Sequence, residues 1–274
     1  MTDSEFRALR DFVYQHVGIL MTEQKRELLT ARLVRRVRTL GLDRFGAYLD
    51  VVERHRSERD EMIDRIVTNE TKFFREPSQF DYLEKAIIPR WRADADARHR
   101  NRHVRVWSAG CSMGQEPYSI AMILLSELPG WTVEVVATDI SNRVLRQASE
   151  AVWPIDKATE IPRQHLEKYM LRGVRTQEGT MRAGEALRAV VRFKRLNLHE
   201  TPPPDLGSFD LIFCRNVLIY FDGKSRRVAV DRLLSHLRDD GHFFLGHSES
   251  LLNSGHPLRP VSPSVYTWKG RLHA

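Results

Sequence analysis

The chain has 274 residues, 42% hydrophobic and 29% charged, with a formal net charge of +7. That length supports one large α/β domain plus a smaller module, and the basic excess points to acidic partners: nucleic acid, anionic lipid or an acidic protein surface. No apolar run approaches the roughly 20 residues needed to cross a bilayer, the N-terminus shows no secretory core, and Cys111 and Cys214 lack C-x-x-C spacing, so a soluble protein in a reducing, cytoplasmic compartment is expected.

The first seventy or so residues read as helices. Phe6, Leu9, Phe12, Val13 and Val17 recur at helical spacing, and Leu29, Leu33, Val37 and Leu40 repeat the pattern before Gly41 closes the second helix. Further helices are expected over residues 45–52 and 57–67, completing a small bundle. The second helix carries Lys25, Arg26, Arg32, Arg35, Arg36 and Arg38 against Glu27, so one flank is strongly positive. A solvated face and a docking surface for an acidic helix or nucleic acid both fit that pattern.

Residues 67–80, VTNETKFFREPSQF, are dense in polar groups for a linker. Asn69, Thr71 and Arg75 can turn inward while Phe73 and Phe74 anchor the segment; an ordinary connector is the alternative.

The stretch RVWSAGCSMGQEPYSIAMIL, residues 105–124, runs from an apolar strand through a Gly-containing turn into an apolar helix. That is how an α/β fold presents backbone amides to a nucleotide-like ligand. Glu116 also suits the first turn of that helix as a dipole-satisfying acid. A second strand over residues 132–138 ends in Asp139, an acid placed for a ribose diol.

Ser141 caps a helix through Glu150, after which regularity breaks over residues 153–188. Gly173 and Gly179 there mark turns between short runs, so a small inserted β-subdomain is expected. A strand over residues 190–198 places Asn197 near its end, and within the apolar run FDLIFCRNVLIYF, residues 209–221, residues 210–214 read as a buried parallel strand with Arg215 and Asn216 at its carboxyl end. A helix over 225–237, a turn at 239–241 and strands over 243–246 and 265–268 complete the alternation. No histidine has metal-ligand spacing, so no metal is expected, and His247 reads as structural.

Five segments in order, VTNETKFFRE, RVWSAGCSMGQEPYS, ATDIS, FCRNVLIYFD and FLGHSESL, resemble the CheR-type chemotaxis receptor methyltransferases, which use S-adenosylmethionine. The resemblance covers almost the whole chain and includes the basic second helix. It implies a doubly wound, Rossmann-like class I methyltransferase sheet of the α/β class, with an inserted small antiparallel β-subdomain and a small all-α bundle in front. The expected boundaries are residues 1–70 for the bundle, 71–84 for a linker contributing to the cofactor site, and 85–274 for the methyltransferase domain, with the insert at about 164–192.

The implied activity is methyl transfer to glutamate carboxylates of chemoreceptor cytoplasmic helices, leaving glutamyl methyl esters and S-adenosylhomocysteine. The implied cofactor residues are Asn69, Thr71, Arg75, Glu116, Asp139, Asn197, Leu198, Arg215 and Asn216. Glu116 would face the methionine end, Asp139 the ribose, and Asn197 with Leu198 the adenine. Arg75 and Tyr220 would orient the incoming carboxylate beside the sulfonium, and Arg32, Arg35, Arg36 and Arg38 would meet the acidic receptor helices. In some members the β-subdomain captures a receptor C-terminal peptide as an added strand, and the insert here is long enough for that mode; other members work without a tether. The reading has no nucleic-acid partner, no membrane insertion and no need for more than a monomer. A nicotinamide oxidoreductase would require a fuller glycine fingerprint and a proton relay. An RNA methyltransferase or nucleic-acid-binding module would interleave stacking aromatics with the arginines.

Overall fold

The computed structural model describes residues 1–252 and 254–270; the last four residues of the expected methyltransferase domain lie outside that range. Four helices open the chain: α1 (Asp3–Val17), α2 (Arg26–Thr39), α3 (Phe45–Arg54) and α4 (Arg56–Ile66). A reciprocal Thr2–Glu5 capping box starts α1, and Gly18 ends it in the left-handed conformation. Phe6, Leu9, Leu29, Leu33, Tyr48, Val52, Met62 and Ile66 form the bundle's core.

Two of the basic residues of α2 are structural rather than presented outward. The Arg36 guanidinium pairs with Glu58 on α4, whose carboxylate also accepts from the Tyr48 hydroxyl at 2.9 Å. Arg32 donates to the Ile66 carbonyl and, at 3.0 Å, to the Thr68 hydroxyl. Arg35 and Arg38 are exposed, and their guanidinium groups make no hydrogen bond or ion pair among the described residues. The expected docking face therefore keeps Arg35 and Arg38, while Arg36, and in part Arg32, hold α2 to α4 and the linker.

A helical segment that the sequence patterning did not assign precedes the sheet: α5 (Pro77–Tyr82), a π-helical turn (Leu83–Ile87) and α6 (Ile88–Asp96). Then follow β1 (His103–Ala109), α7 (Gln115–Glu127), β2 (Thr132–Asp139), α8 (Asn142–Glu150), β3 (Val152–Pro154), α9 (Arg163–Tyr169), β4 (Met170–Arg172), β5 (Thr180–Ala183), α10 (Glu185–Val190), β6 (Val191–Arg195), β7 (Phe209–Cys214), α11 (Gly223–Leu234), β8 (Leu237–Leu245), β9 (Leu258–Ser262) and β10 (Val265–Trp268). The main sheet has the order β6-β2-β1-β7-β8-β10-β9, parallel through β8, with β10 antiparallel to β8 and to β9. Strand order reverses between β1 and β7, and ligands of such sheets bind outside the carboxyl ends of the strands at that switch.

The inserted sheet has three strands, β3-β5-β4, all antiparallel. Its third strand, β3, lies in sequence before the expected insert. Three residues carry too little periodicity to be read as a strand. The expected turn at 239–241 is also a continuous part of β8. A Cβ at Gly241 would lie 2.9 Å from the Arg238 carbonyl and 3.0 Å from that of Asp210, so glycine lets the strand pass closely where the β7–β8 register shifts.

Bundle and sheet are tied directly. Ile19 forms an antiparallel bridge with Phe221, the Leu20 amide donates to the Tyr220 carbonyl at 3.0 Å, and the Tyr14 hydroxyl donates to Asp222 at 2.9 Å. No helix among the described residues is long and apolar enough to cross a membrane.

Removing one partner of a buried ion pair leaves the other charge unpaired and costs about 3 kcal/mol. Arg36→Ala should therefore shift the urea unfolding midpoint of the bundle downward by a corresponding amount. Arg35→Ala, at an exposed position, should leave it within about 0.5 kcal/mol of the native protein.

Candidate functional site

A cleft with about 970 Å³ of empty space, including its open mouth, lies at the carboxyl ends of β1, β2, β6 and β7. All nine expected cofactor residues line it, as does Tyr220. The bundle supplies Val17 and Ile19, residues 67–72 and Arg75 cross the opening, and Gly110, Ser112, Ile140, Leu196, Val217 and Phe221 complete the wall. Sequence patterning did not identify Val17, Ile19 or Lys72 as wall residues, because their placement depends on how the bundle docks.

The polypeptide is in the left-handed region at four non-glycine residues around this cleft: Phe74, Glu76, Ser112 and Asn216. Such residues each cost of order 1 kcal/mol and persist where their surroundings fix them. The fixing contacts are present. The Ser112 hydroxyl donates to the Asn69 carbonyl at 2.8 Å, the Phe74 amide to Ser119 Oγ at 3.0 Å, and the Phe73 amide to Glu160 at 2.9 Å. Gly110 has φ +85°, and a Cβ there would lie 2.4 Å from Val217 Cγ2, so the turn can sit against the 216–220 loop only as glycine.

Arg215 is the electrostatic centre. Its side chain is 2% exposed, donating to Glu76 on one side and at 3.2 Å to Glu116 on the other, and to the Arg75 carbonyl. The Glu116 carboxylate also accepts from Ser108 Oγ at 2.6 Å. Burial raises the Glu116 pKa, with Arg215 and Ser108 opposing it incompletely. Burial also pushes Glu76 upward, but the His247 amide and Arg215 outweigh it and leave Glu76 below its usual 4.5.

Asp139 is buried and likewise raised by burial, while amides of Ser141, Ser112 and Ile140 pull the other way. Its two oxygens accept from the Ser112 amide at 2.9 Å and the Ser141 amide at 3.0 Å, locking the Gly turn to the end of β2. The Asn197 side chain is engaged within the protein. Its amide nitrogen donates to the His16 carbonyl at 2.8 Å and to Glu200, and its oxygen accepts from the His199 amide, so the side chain ties the bundle to the sheet while the residue still borders the cleft.

Glu249, in a segment quoted above without a role, is a further residue that sequence reasoning missed. It is buried, accepts from the Asn216 and Gly246 amides at 2.8 Å each and from Ile219 at 3.2 Å, and so shapes the loop carrying Asn216 and Tyr220. Burial raises its pKa, and these amides with that of Leu218 oppose the rise. Its signal was a lone acid between serines in a polar run after a strand, which usually means a solvated turn.

The cleft fits an adenosyl cofactor: an acid stands at the end of β2, apolar walls come from Val17, Ile19, Leu196, Leu198 and Phe221, and the buried Asn69 Nδ2 has no partner among the described residues. Fold and site together define a class I methyltransferase, with its ligand cleft at the switch point of a doubly wound sheet. Residues 69–266 match the model described as CheR methyltransferase, SAM binding domain, and residues 4–67 match CheR methyltransferase, all-alpha domain. The chain belongs to the CheR methyltransferase family and is an S-adenosylmethionine-dependent methyltransferase. It is 37% identical over 270 residues to chemotaxis protein methyltransferase 2 of Pseudomonas aeruginosa, covering 97% of this chain and 93% of that protein. The chemotaxis protein methyltransferase of Escherichia coli is 40% identical over 256 residues, with 91% and 85% covered, and that of Borreliella burgdorferi 36% over 272, with 97% and 94% covered.

Glu249→Ala would leave several buried amides without an acceptor, each costing about 1 kcal/mol or more. It should weaken S-adenosylmethionine binding at least tenfold by calorimetry, with Glu249→Gln, which keeps one acceptor oxygen, intermediate. Glu76 has a lowered folded-state pKa, so its contribution to stability is present above the usual carboxylate value and is lost as pH falls through the folded one. The stability gap between the native protein and Glu76→Gln, measured by denaturant titration, should hold steady at neutral pH and close as pH falls below 4.5.

Proposed function

We propose that the enzyme methylates glutamate side-chain carboxylates of chemoreceptors, the methyl-accepting chemotaxis proteins, giving glutamyl methyl esters and S-adenosylhomocysteine for sensory adaptation. The observation that carries this reading is Arg75. Its side chain lines the cleft, as does Tyr220, donates to the Glu70 carbonyl at 3.3 Å, and has no carboxylate partner among the described residues. A cation so placed suits an incoming carboxylate. The relatives' names, chemotaxis protein methyltransferase, support the same substrate class.

When bound, S-adenosylmethionine supplies an electrophilic methyl group on a sulfonium. Asn69, Thr71 and Asn216 bind polar edges of the cofactor, Asp139 accepts from its ribose, and Leu198 flanks the adenine. Asn197 contributes its main chain there, since its side chain is committed to His16. Glu116, held by Ser108 and Arg215, faces the methionine end.

Proton transfer is not required of the protein. A glutamate with an ordinary pKa near 4.3 is already a nucleophile at neutral pH, and the Glu76, Glu116 and Asp139 carboxylates are engaged by donors. Arg75 and Tyr220 orient the carboxylate, and alignment in such a displacement contributes several kcal/mol, up to about 7 to 11 in ideal cases. A closed, partly dry cleft favours the step, because carboxylate and sulfonium charges cancel as the bond forms.

Arg35 and Arg38 face acidic receptor helices, with Arg32 at their margin. The edge strands β3 and β4 of the inserted sheet are where a receptor C-terminal peptide would add. The receptor's cytoplasmic helices place the enzyme in the cytoplasm, acting as a monomer.

Incubation with radiolabelled S-adenosylmethionine and receptor-containing membranes should label receptor protein with methyl groups released as methanol by mild base. Arg75→Ala should lower turnover at least tenfold. Base-stable label, or label on no receptor, would refute glutamate as the acceptor, and unchanged turnover would remove Arg75 from the mechanism.

A further inference from the structure

Nine large apolar side chains are exposed among the described residues, and single ones of this kind are ordinary. Three of them, Leu20 at 41%, Leu28 at 46% and Ile219 at 44%, belong to chain segments that meet at Tyr220. Ile219 precedes Tyr220 in the chain, and the Leu20 amide is bonded to the Tyr220 carbonyl. Leu28 is one helical turn beyond Lys25, whose Nζ lies 5.6 Å from the Tyr220 ring centroid. Tyr220 itself lines the cleft.

The apolar group is continuous with charge. At about 100° per residue, Leu28, Arg35 and Arg38 fall within an arc of about 80° on α2, and about 15 Å of helix separates the first from the last. Along α2 the face thus grades from apolar at Leu28 to basic at Arg35 and Arg38, with Lys25 a further cation against Tyr220. Opposed charge speeds encounter and sets orientation, but it is screened and leaves register loose, whereas seated apolar side chains slow dissociation. An amphipathic helix bearing a glutamate among aliphatic residues, with acidic residues farther along, matches that gradient.

We propose that Leu20, Leu28 and Ile219 form an apolar lip that seats aliphatic side chains of the substrate helix on either side of the methyl-accepting glutamate, while Arg35 and Arg38 pair with acidic residues farther along it. This rests on the glutamate-methylation reading above. The lip fixes which glutamate reaches Arg75 and Tyr220, because a helix displaced by one turn would present its aliphatic side chains to the arginines.

The test is methylation kinetics of the full-length enzyme on receptor-containing membranes, with Leu20→Ser, Leu28→Ser, Ile219→Ser and the double variant Arg35→Ala/Arg38→Ala, at about 0.05 M and about 0.5 M salt. Each serine variant is expected to raise the receptor KM about tenfold, equal to about 1.4 kcal/mol, at both salt concentrations. The kcat and S-adenosylmethionine affinity should stay at native values. The arginine variant should be impaired at low salt and close to native at high salt. Unchanged receptor KM in all three serine variants overturns the lip while leaving glutamate methylation standing, and so does a fall in cofactor affinity that accounts for the loss. Absence of base-labile label with the native enzyme overturns both readings.

Discussion

One buried guanidinium holds the cleft together. Arg215, at the end of β7, joins Glu76 of the linker, Glu116 in the first turn of α7 and the Arg75 carbonyl, with its guanidinium carbon 5.6 Å from the Phe80 ring centroid. Taking such an ion from water costs several kcal/mol, and two carboxylates with a carbonyl offset that cost without a large surplus. The consequence is registry: the linker cannot leave the sheet without uncovering an unpaired charge. Arg75 is therefore held at the cleft by its own backbone, and its side chain, bonded to the Glu70 carbonyl, has no carboxylate partner among the described residues.

The same economy of donors shapes the chemistry. Ser108, Ser112, Ser141 and Arg215 each engage a carboxylate bordering the cleft, and burial raises Glu116 and Asp139 only partway against them. Groups tied up in this way shape and orient; a general base needs a free lone pair aimed at a substrate proton. An anionic acceptor makes no such demand, so the cleft's chemistry and the proposed substrate agree.

Much of the site was legible because its residues sit where a pattern changes. Asp139 ends a strand, Arg215 and Asn216 interrupt an apolar run, and the glycines at 110 and 114 break strand from helix. Contacts made by backbone geometry were not legible. No local pattern marks Phe74, Glu76, Ser112 and Asn216 as left-handed, or shows that the buried Glu249 gathers amides from a loop about thirty residues earlier. The charge run on α2 illustrates the limit in another way. Composition made all four arginines equal, and only packing against α4 separates Arg36, turned to Glu58, from the exposed Arg35. The short strand β3 and the hairpin partner β9 escaped because few residues carry their alternation.

The bundle is part of the cleft and not an appendage to it. Val17 and Ile19 form wall, the Ile19–Phe221 bridge and the Leu20–Tyr220 hydrogen bond extend the loop after β7, and Asn197 reaches back to His16. At Gly18 a Cβ would lie 2.6 Å from the His199 ring and 2.9 Å from that of Phe221, so the chain crosses from α1 to the sheet at a point where no side chain fits. A partner that pulls on α2 thus pulls on the main chain beside Tyr220 through hydrogen bonds, not through a flexible tether. The surface proposed to meet the substrate and the cleft for the cofactor are joined by backbone, which would let recognition at the one fix distance at the other.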